Sequence, residues 1–308
     1  MDQDNHFDSL MPSSMAQKAE DIGVRKAAMP ASKLFILAVL AGAYIALGAI
    51  FCTTVLAGSS ALPYGVARLL GGLVFCLGLI LVVVGGAELF TGNNLIVIAW
   101  ASKKVSTGAL LRNWAIVYLG NFVGSVATAV LMFLAKQYTN GGGSVGVVAL
   151  NTAASKVHLG FIQAVALGIL CNCLVCLAVW LTYSARSTTD KILAIIFPIT
   201  AFVAAGFEHS VANMYFIPYG IIIQQFDPAF VASLGDKVNL TGLSWSTFFT
   251  NNLLPVTIGN IIGGSIMVGI VYWTAYLQDV RKPQATTPPI SNQVADLQDN
   301  ASKPIVNR

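Results

Sequence analysis

Six long apolar runs dominate the sequence, at residues 34–57, 69–101, 113–135, 157–185, 192–226 and 243–278. Each meets the roughly 20 residues that a helix needs to cross about 30 Å of hydrocarbon. The runs predict an all-α membrane protein with six transmembrane helices. Two are too long for one straight span, and each of these is interrupted by a single acidic residue, Glu88 or Glu208.

Charge is distributed to match. Residues 1–33 hold nine charged side chains and residues 279–308 hold seven, while the whole of 34–278 holds only 14. This divides the chain into a cytoplasmic N-terminal tail (1–33), a six-span domain (34–278) and a C-terminal tail (279–308) read as disordered from its prolines and few apolar residues. A soluble catalytic domain or a nucleic-acid binder, which carries roughly 25% charged residues, does not fit a chain with 10%. The N-tail, 102–112, 184–191 and the C-tail carry 13 of the 17 basic residues, so both termini are expected in the cytoplasm. All five cysteines fall in apolar stretches, and Cys171, Cys173 and Cys176 point to different sides of a helix. They read as small buried hydrophobes rather than a metal site or disulfides, and no cofactor is expected.

The chain repeats itself. Gly86-x-Glu88-x4-Asn93 recurs as Gly206-x-Glu208-x4-Asn213, and Asn113-x3-Val117-x2-Gly120-Asn121-x2-Gly124 recurs as Asn252-x3-Val256-x2-Gly259-Asn260-x2-Gly263. A weaker echo aligns Phe35-Ile36 with Phe161-Ile162. Two halves of three spans each must enter the membrane from opposite sides, giving an inverted 3+3 repeat with helices 2 and 5 broken at mid-membrane.

Irregular backbone survives in a bilayer only when buried in protein or lining a cavity, so paired breaks imply a pathway between the halves. Helices that restart after a break aim positive N-termini at the centre, where an anion is favoured. Glu88 and Glu208 are expected to stabilise the breaks by accepting hydrogen bonds from freed backbone amides, with substrate contact as the alternative. His209 has no counterpart, since Leu89 occupies the equivalent position. It is the sharpest candidate for chemistry, against a neutral core histidine satisfied by a hydroxyl such as Thr91. Phe75, Leu79, Phe90 and Phe202 either narrow a pathway or pack. Asn172 and Asn260 either line a polar route or bridge helices. Lys156 either draws anions into an outer vestibule or snorkels.

Several longer motifs resemble the formate-nitrite transporters. They are Glu88-Leu89-Phe90-Thr91, Cys171-Asn172-x-Leu174-Val175-Cys176-Leu177-Ala178-x-Trp180, Gly206-Phe207-Glu208-His209-Ser210-x-Ala212-Asn213-Met214 and Asn252-Leu253-x-Pro255-Val256-Thr257-x-Gly259-Asn260. The resemblance runs from about Phe7 to Leu277. It implies an aquaporin-like fold, a homopentamer with one pore per protomer in the bacterial inner membrane, and passage of formate with pH-dependent, proton-coupled direction. His209 and Thr91 would be the pore centre and Phe75, Leu79, Phe90 and Phe202 its constrictions, with Lys156, Asn172, Leu89 and Asn260 lining or flanking the route. Partners would be a small monovalent anion, membrane lipid and a cytoplasmic formate-metabolising enzyme at the N-tail, whose helix, with Met11, Met15 and Ala19 on one face, is similar to the family's gating helix. The formate branch usually has Asp where this chain has Glu88, and Gly92 is similar to the nitrite branch, so nitrite, hydrosulfide and lactate stay open as substrates. A membrane-embedded enzyme using Glu208 and His209 is the remote alternative.

On this reading, Lys156 and the half-helix amides gather formate, His209 supplies positive potential or a proton, Thr91 positions it, and formic acid crosses the apolar constrictions. A neutral acid loses far less on desolvation than an anion.

Overall fold

The structure, a computed structural model, describes residues 9–278, all of them helical or in connections, with no strand. The C-terminal tail assigned to 279–308, and Phe7 and Asp8 at the head of the N-terminal motif, lie outside the described residues.

Helix α1 (Pro12–Ala27) begins with Pro12 at the first helical position, where a missing N–H costs nothing. Met15, Ala19, Gly23 and Ala27 form its buried stripe, one residue per turn. Met11, expected on that stripe, is 70% exposed. It caps the helix in extended backbone and so leaves the helical face.

The chain then runs through α2 (Ala31–Leu56) and α3 (Tyr64–Gly85), breaks, and resumes as α4 (Phe90–Ala101). Next come α5 (Thr107–Leu134), α6 (Ser144–Val157), α7 (Phe161–Ser184) and α8 (Thr188–Ala204). After a second break follow α9 (Ser210–Phe226), α10 (Pro228–Leu234) and α11 (Trp245–Tyr276). Five of these, α2, α3, α5, α7 and α11, are long and apolar enough to cross a membrane. The apolar run at 192–226 yields no sixth because its break divides it into α8 and α9, 17 residues each.

The breaks turn on glycine. Gly86 and Gly206 have φ of 78° and 76°, in the left-handed region that a side chain resists, and each ends the preceding helix. Helix α8 starts with a capping box between Ser187 and Asp190. Pro255, which has no N–H to give, follows a π-helical stretch, Phe248–Leu253, in α11.

Small residues bring the long helices together. A Cβ at Gly124 would lie 2.0 Å from Val39 O, and one at Gly263 would lie 2.2 Å from Ile169 O, so α5 packs backbone-to-backbone on α2 and α11 on α7. Large apolar side chains such as Ile162 and Phe197 point outward, 78% and 80% exposed. This is the surface of a multi-pass membrane protein.

Candidate functional site

Both breaks are closed by an asparagine. Phe90 N donates to Asn121 Oδ1 and Ser210 N to Asn260 Oδ1, each at 2.9 Å. The amides of the same asparagines donate back to Glu88 O and Glu208 O at 3.0 Å. They also reach Ala38 O on α2 at 2.7 Å and Gly168 O on α7 at 2.9 Å. One side chain thus satisfies groups on either side of a break, where an orphan would cost several kcal/mol.

The carboxylates do something other than expected. Neither Glu88 nor Glu208 accepts from a freed backbone amide among the described residues. Each holds a lysine, Lys26 Nζ at 2.8 Å from Glu88 Oε1 and Lys156 Nζ at 2.7 Å from Glu208 Oε1. The second oxygens accept from Asn93 at 2.8 Å and Asn213 at 2.7 Å. These asparagines also donate to Asn113 and Asn252, which in turn donate to the Lys26 and Lys156 carbonyls. The reason is electrostatic: a buried carboxylate gains more from an ammonium and charge-assisted bonds than from a neutral amide, which asparagine can serve as well.

Lys26 was missed because it sits in the polar N-terminal tail. A usable signal was present, since Lys26 and Lys156 each lie five residues before the first residue of a long helix, Ala31 or Phe161. The same geometry corrects the weak echo. The sequence pattern aligned Phe35 with Phe161, whereas Glu88 N donates to Leu37 O at 3.2 Å and Glu208 N to Leu167 O at 3.3 Å, which places the match one helical turn later. Stretches of small aliphatic residues look alike every turn, so a slip of four is invisible in the pattern.

Three cavities lie in series between these clusters. One, about 280 Å³, is lined by Lys156, Arg68, Glu208 and Phe216, and ends at Phe75, Phe202 and His209. The Lys156 ammonium lies 5.6 Å from the Phe216 ring centroid. A second, about 310 Å³, is lined by Lys18, Lys26, Lys191, Glu88 and Tyr183, and ends at Leu79 and Leu89. Burial first, then the charges of Arg186, Lys191 and Arg25, pull the Lys18 ammonium below its ordinary pKa. Between them is a space of about 10 Å³ bounded by Phe75, Phe202 and His209 at one end and Leu79 and Leu89 at the other, with Ile45, Val175 and Ile199 around it. That is close to the least volume that holds one water.

His209 sits at the first residue before α9. Its Nδ1 accepts the Ala212 amide at 3.0 Å and its Nε2 lies 2.9 Å from Thr91 Oγ1. Because Nδ1 accepts, the neutral ring carries its proton on Nε2 and gives it to Thr91. Both nitrogens are therefore committed, and the ring stacks against Phe202 with centroids 5.9 Å apart. Thr91 is fully buried behind the histidine and lines none of the three cavities.

The remaining candidates divide. Phe75 and Phe202 meet edge to face at 5.7 Å between the Lys156 cavity and the centre, and Leu79 and Leu89 lie between the centre and the Lys26 cavity. Phe90 points elsewhere, its ring 4.9 Å from Tyr118 and 6.2 Å from Trp114, and lines none of these spaces. Asn172 donates to Asn94 Oδ1 at 2.8 Å, to Asn260 O at 2.7 Å and to Thr91 O at 3.2 Å. Like Asn260, it bridges helices and lines none of the three cavities. Five cysteines are free, and no group of residues able to hold a metal occurs among the described residues.

Comparison with known proteins agrees with this architecture. The chain is 48% identical over 281 residues to the formate channel FocA of Escherichia coli K12, covering 91% of this chain and 99% of that one. It is 43% identical over 264 residues to the formate channel FocA of Haemophilus influenzae, covering 85% and 93%. A solved structure described as a pentameric formate channel with formate bound superposes with a TM-score of 0.75 at 48% identity, covering 80% of this chain and 98% of that chain. A family model described as formate/nitrite transporter matches residues 13–274. The chain belongs to the formate/nitrite transporter family, a family of membrane transporters rather than enzymes.

Proposed function

We propose that this protein conducts formate across the bacterial inner membrane as neutral formic acid, through one pathway in each protomer of a homopentamer. The observation that carries this reading is the series of two lysine-lined cavities separated by an apolar centre in which both His209 nitrogens are already hydrogen-bonded. Ammonium groups concentrate formate at either mouth. The centre offers an anion no free donor on the histidine, so the species that crosses at least cost is uncharged. Protonating Nδ1 would set a new N–H against the Ala212 amide, so the proton travels with formate, acquired in the wet cavities, and His209 with Thr91 fixes the shape and polarity of the centre. Flux then rises on the side that is more acidic, which gives it a pH-dependent, proton-coupled direction.

The assembly and substrate follow the relatives named above, described as formate channels and, in one structure, as a pentameric channel with formate bound. Six crossings arranged as an inverted repeat are supported by the two lysine–glutamate–asparagine clusters, which share the ion pair and the asparagine bond to its second oxygen at the two breaks. The excess of basic residues in the tails and in 102–112 and 184–191 favours cytoplasmic termini, with the Lys26 cavity facing the cytoplasm. Helix α1 lends Lys18, Ile22 and Lys26 to that cavity, so its movement opens or closes the inner mouth, and its outer face is where a cytoplasmic formate-metabolising enzyme would dock. Phe75 with Phe202, and Leu79 with Leu89, are the two constrictions.

Labelled formate uptake into proteoliposomes, with nitrite and lactate as competitors, tests the substrate. Saturable uptake that prefers formate supports the reading. Preference for nitrite moves the protein to the nitrite branch, which Gly92 resembles.

A further inference from the structure

Helix α3 carries Phe75 and helix α8 carries Phe202, so the packing of α3 on α8 sets how closely the two rings meet. Along most of this seam the contact is made by small groups. A Cβ at Gly72 would lie 2.6 Å from Thr200 O, and Cys76 Sγ lies 3.4 Å from Thr200 Oγ1. Beside the ring pair a charged side chain takes over. Arg68 on α3 donates from Nε to Ala204 O at 3.2 Å and from Nη2 to Val203 O.

Both carbonyls belong to the last turn of α8, the end of the helix that carries partial negative charge, and Val203 O also accepts the Gly206 amide at 3.1 Å. An arginine fork satisfies two such oxygens at once and holds them at a fixed distance, which a lysine cannot do. Arg68 lies two turns before Phe75 on the same helix, and Val203 directly follows Phe202. The fork therefore anchors both constriction helices next to the rings. Both breaks return amides to the turn before them, Ala87 to Val82 O and Phe207 to Phe202 O, and at the second Arg68 is added to that turn.

We infer that Arg68 is a positioning residue that sets the aperture between Phe75 and Phe202, and through it the largest acid that passes. This rests on the reading of the three cavities as the transport route. A simpler role, attraction of anions into the Lys156 cavity that Arg68 also lines, makes a different prediction.

The test compares full-length protein with Arg68→Met and Arg68→Lys in proteoliposomes, with pentamer integrity checked by size-exclusion chromatography, and reads the ratio of lactate to formate flux. Arg68→Met is expected to raise the ratio about tenfold, the discrimination typical of a methylene-sized change in an apolar pocket. Arg68→Lys should raise it less, and in a Phe202→Ala background Arg68→Met should add nothing further, since both act on one aperture. If both fluxes fall together in Arg68→Met at an unchanged ratio, and Arg68→Lys matches wild type, the inference is overturned. Should Arg68→Met fail to assemble, an unchanged ratio in Arg68→Lys overturns it equally. If wild type carries nitrite and not formate, the lactate-to-nitrite ratio reads the same aperture, so loss of the formate reading stays separate from loss of this one.

Discussion

Thr91 Oγ1 lies 2.9 Å from His209 Nε2 and joins the start of α4 to the start of α9 across the centre of the molecule. With Nδ1 occupied by the Ala212 amide, this hydroxyl is the partner that fixes the histidine tautomer.

Removing the hydroxyl while keeping the shape isolates that role. Thr91→Val leaves the Nε2 proton buried without an acceptor, a cost of about 1–3 kcal/mol. Formate flux should fall about tenfold, while Thr91→Ser, which restores the acceptor, stays near wild type. His209→Phe keeps the stack on Phe202 but loses both bonds. Proteoliposome uptake for this variant should be reduced while keeping its wild-type pH dependence, because formate takes its proton in the cavities; full flux would remove His209 from the pathway.

The ion pairs carry a stability prediction. Lys156 and Glu208 side chains are 14% and 6% exposed, so Lys156→Met strands a buried carboxylate at about 3–5 kcal/mol. Thermal unfolding of the detergent-solubilised protein should show a clear drop in Tm for Lys156→Met. Adding Glu208→Gln, which removes the stranded charge and keeps an acceptor for Asn213, should recover most of it. Equal loss in the single and double variants would mean that the lysine matters for packing alone.

Asn121 and Asn260 hold the breaks, and leucine at either position is close in size but cannot bond. Asn121→Leu unpairs Phe90 N and Glu88 O, and Asn260→Leu unpairs Ser210 N and Glu208 O. Each unmet group costs about 1–3 kcal/mol. Both variants should lower Tm and increase hydrogen exchange at the broken segment, and an unchanged Tm would show that other groups close the breaks.

The connection after α9 responds to acid. Asp227 accepts the Tyr138 hydroxyl at 2.6 Å and caps α10 through Phe230 N at 3.1 Å. The Tyr138 bond first, then the Phe230 amide, holds its carboxyl below the ordinary carboxylate value. A depressed folded pKa stabilises the fold above the unfolded value of about 3.9, and the contribution is lost as pH falls through the lower folded value. Protection of the Phe230 amide, corrected for intrinsic exchange, should therefore be smaller at about pH 3 than at about pH 6. Asp227→Asn, which has no charge to lose, should show little difference between the two.

The sequence carries its spans and its breaks openly, because a charge or a glycine pair inside an apolar run is conspicuous. His209 and Phe202 were legible for the same reason, one as an unpaired ionisable group and the other as a ring on a broken helix. Partners were harder to read. Asn121 appears in the repeat as one conserved-looking letter of a pattern, and only the fold reveals that its amide spans a break. Lys26 was hidden by its polar surroundings, since in a tail of nine charges only its spacing from α2, shared with that of Lys156 from α7, marks which ammonium turns inward. Phe90 and Phe75 are equally apolar neighbours of a pathway in sequence, and side-chain direction alone sends one toward Tyr118 and the other toward the centre.

The central claim is that the species crossing between Phe75 and Leu89 is uncharged. Formate influx into proteoliposomes, with lumenal pH followed by a trapped dye and membrane potential clamped with potassium and valinomycin, tests it directly. Stoichiometric lumenal acidification with a flux indifferent to the imposed potential is the predicted result. Formate flux that follows the potential and leaves lumenal pH unchanged would contradict the account.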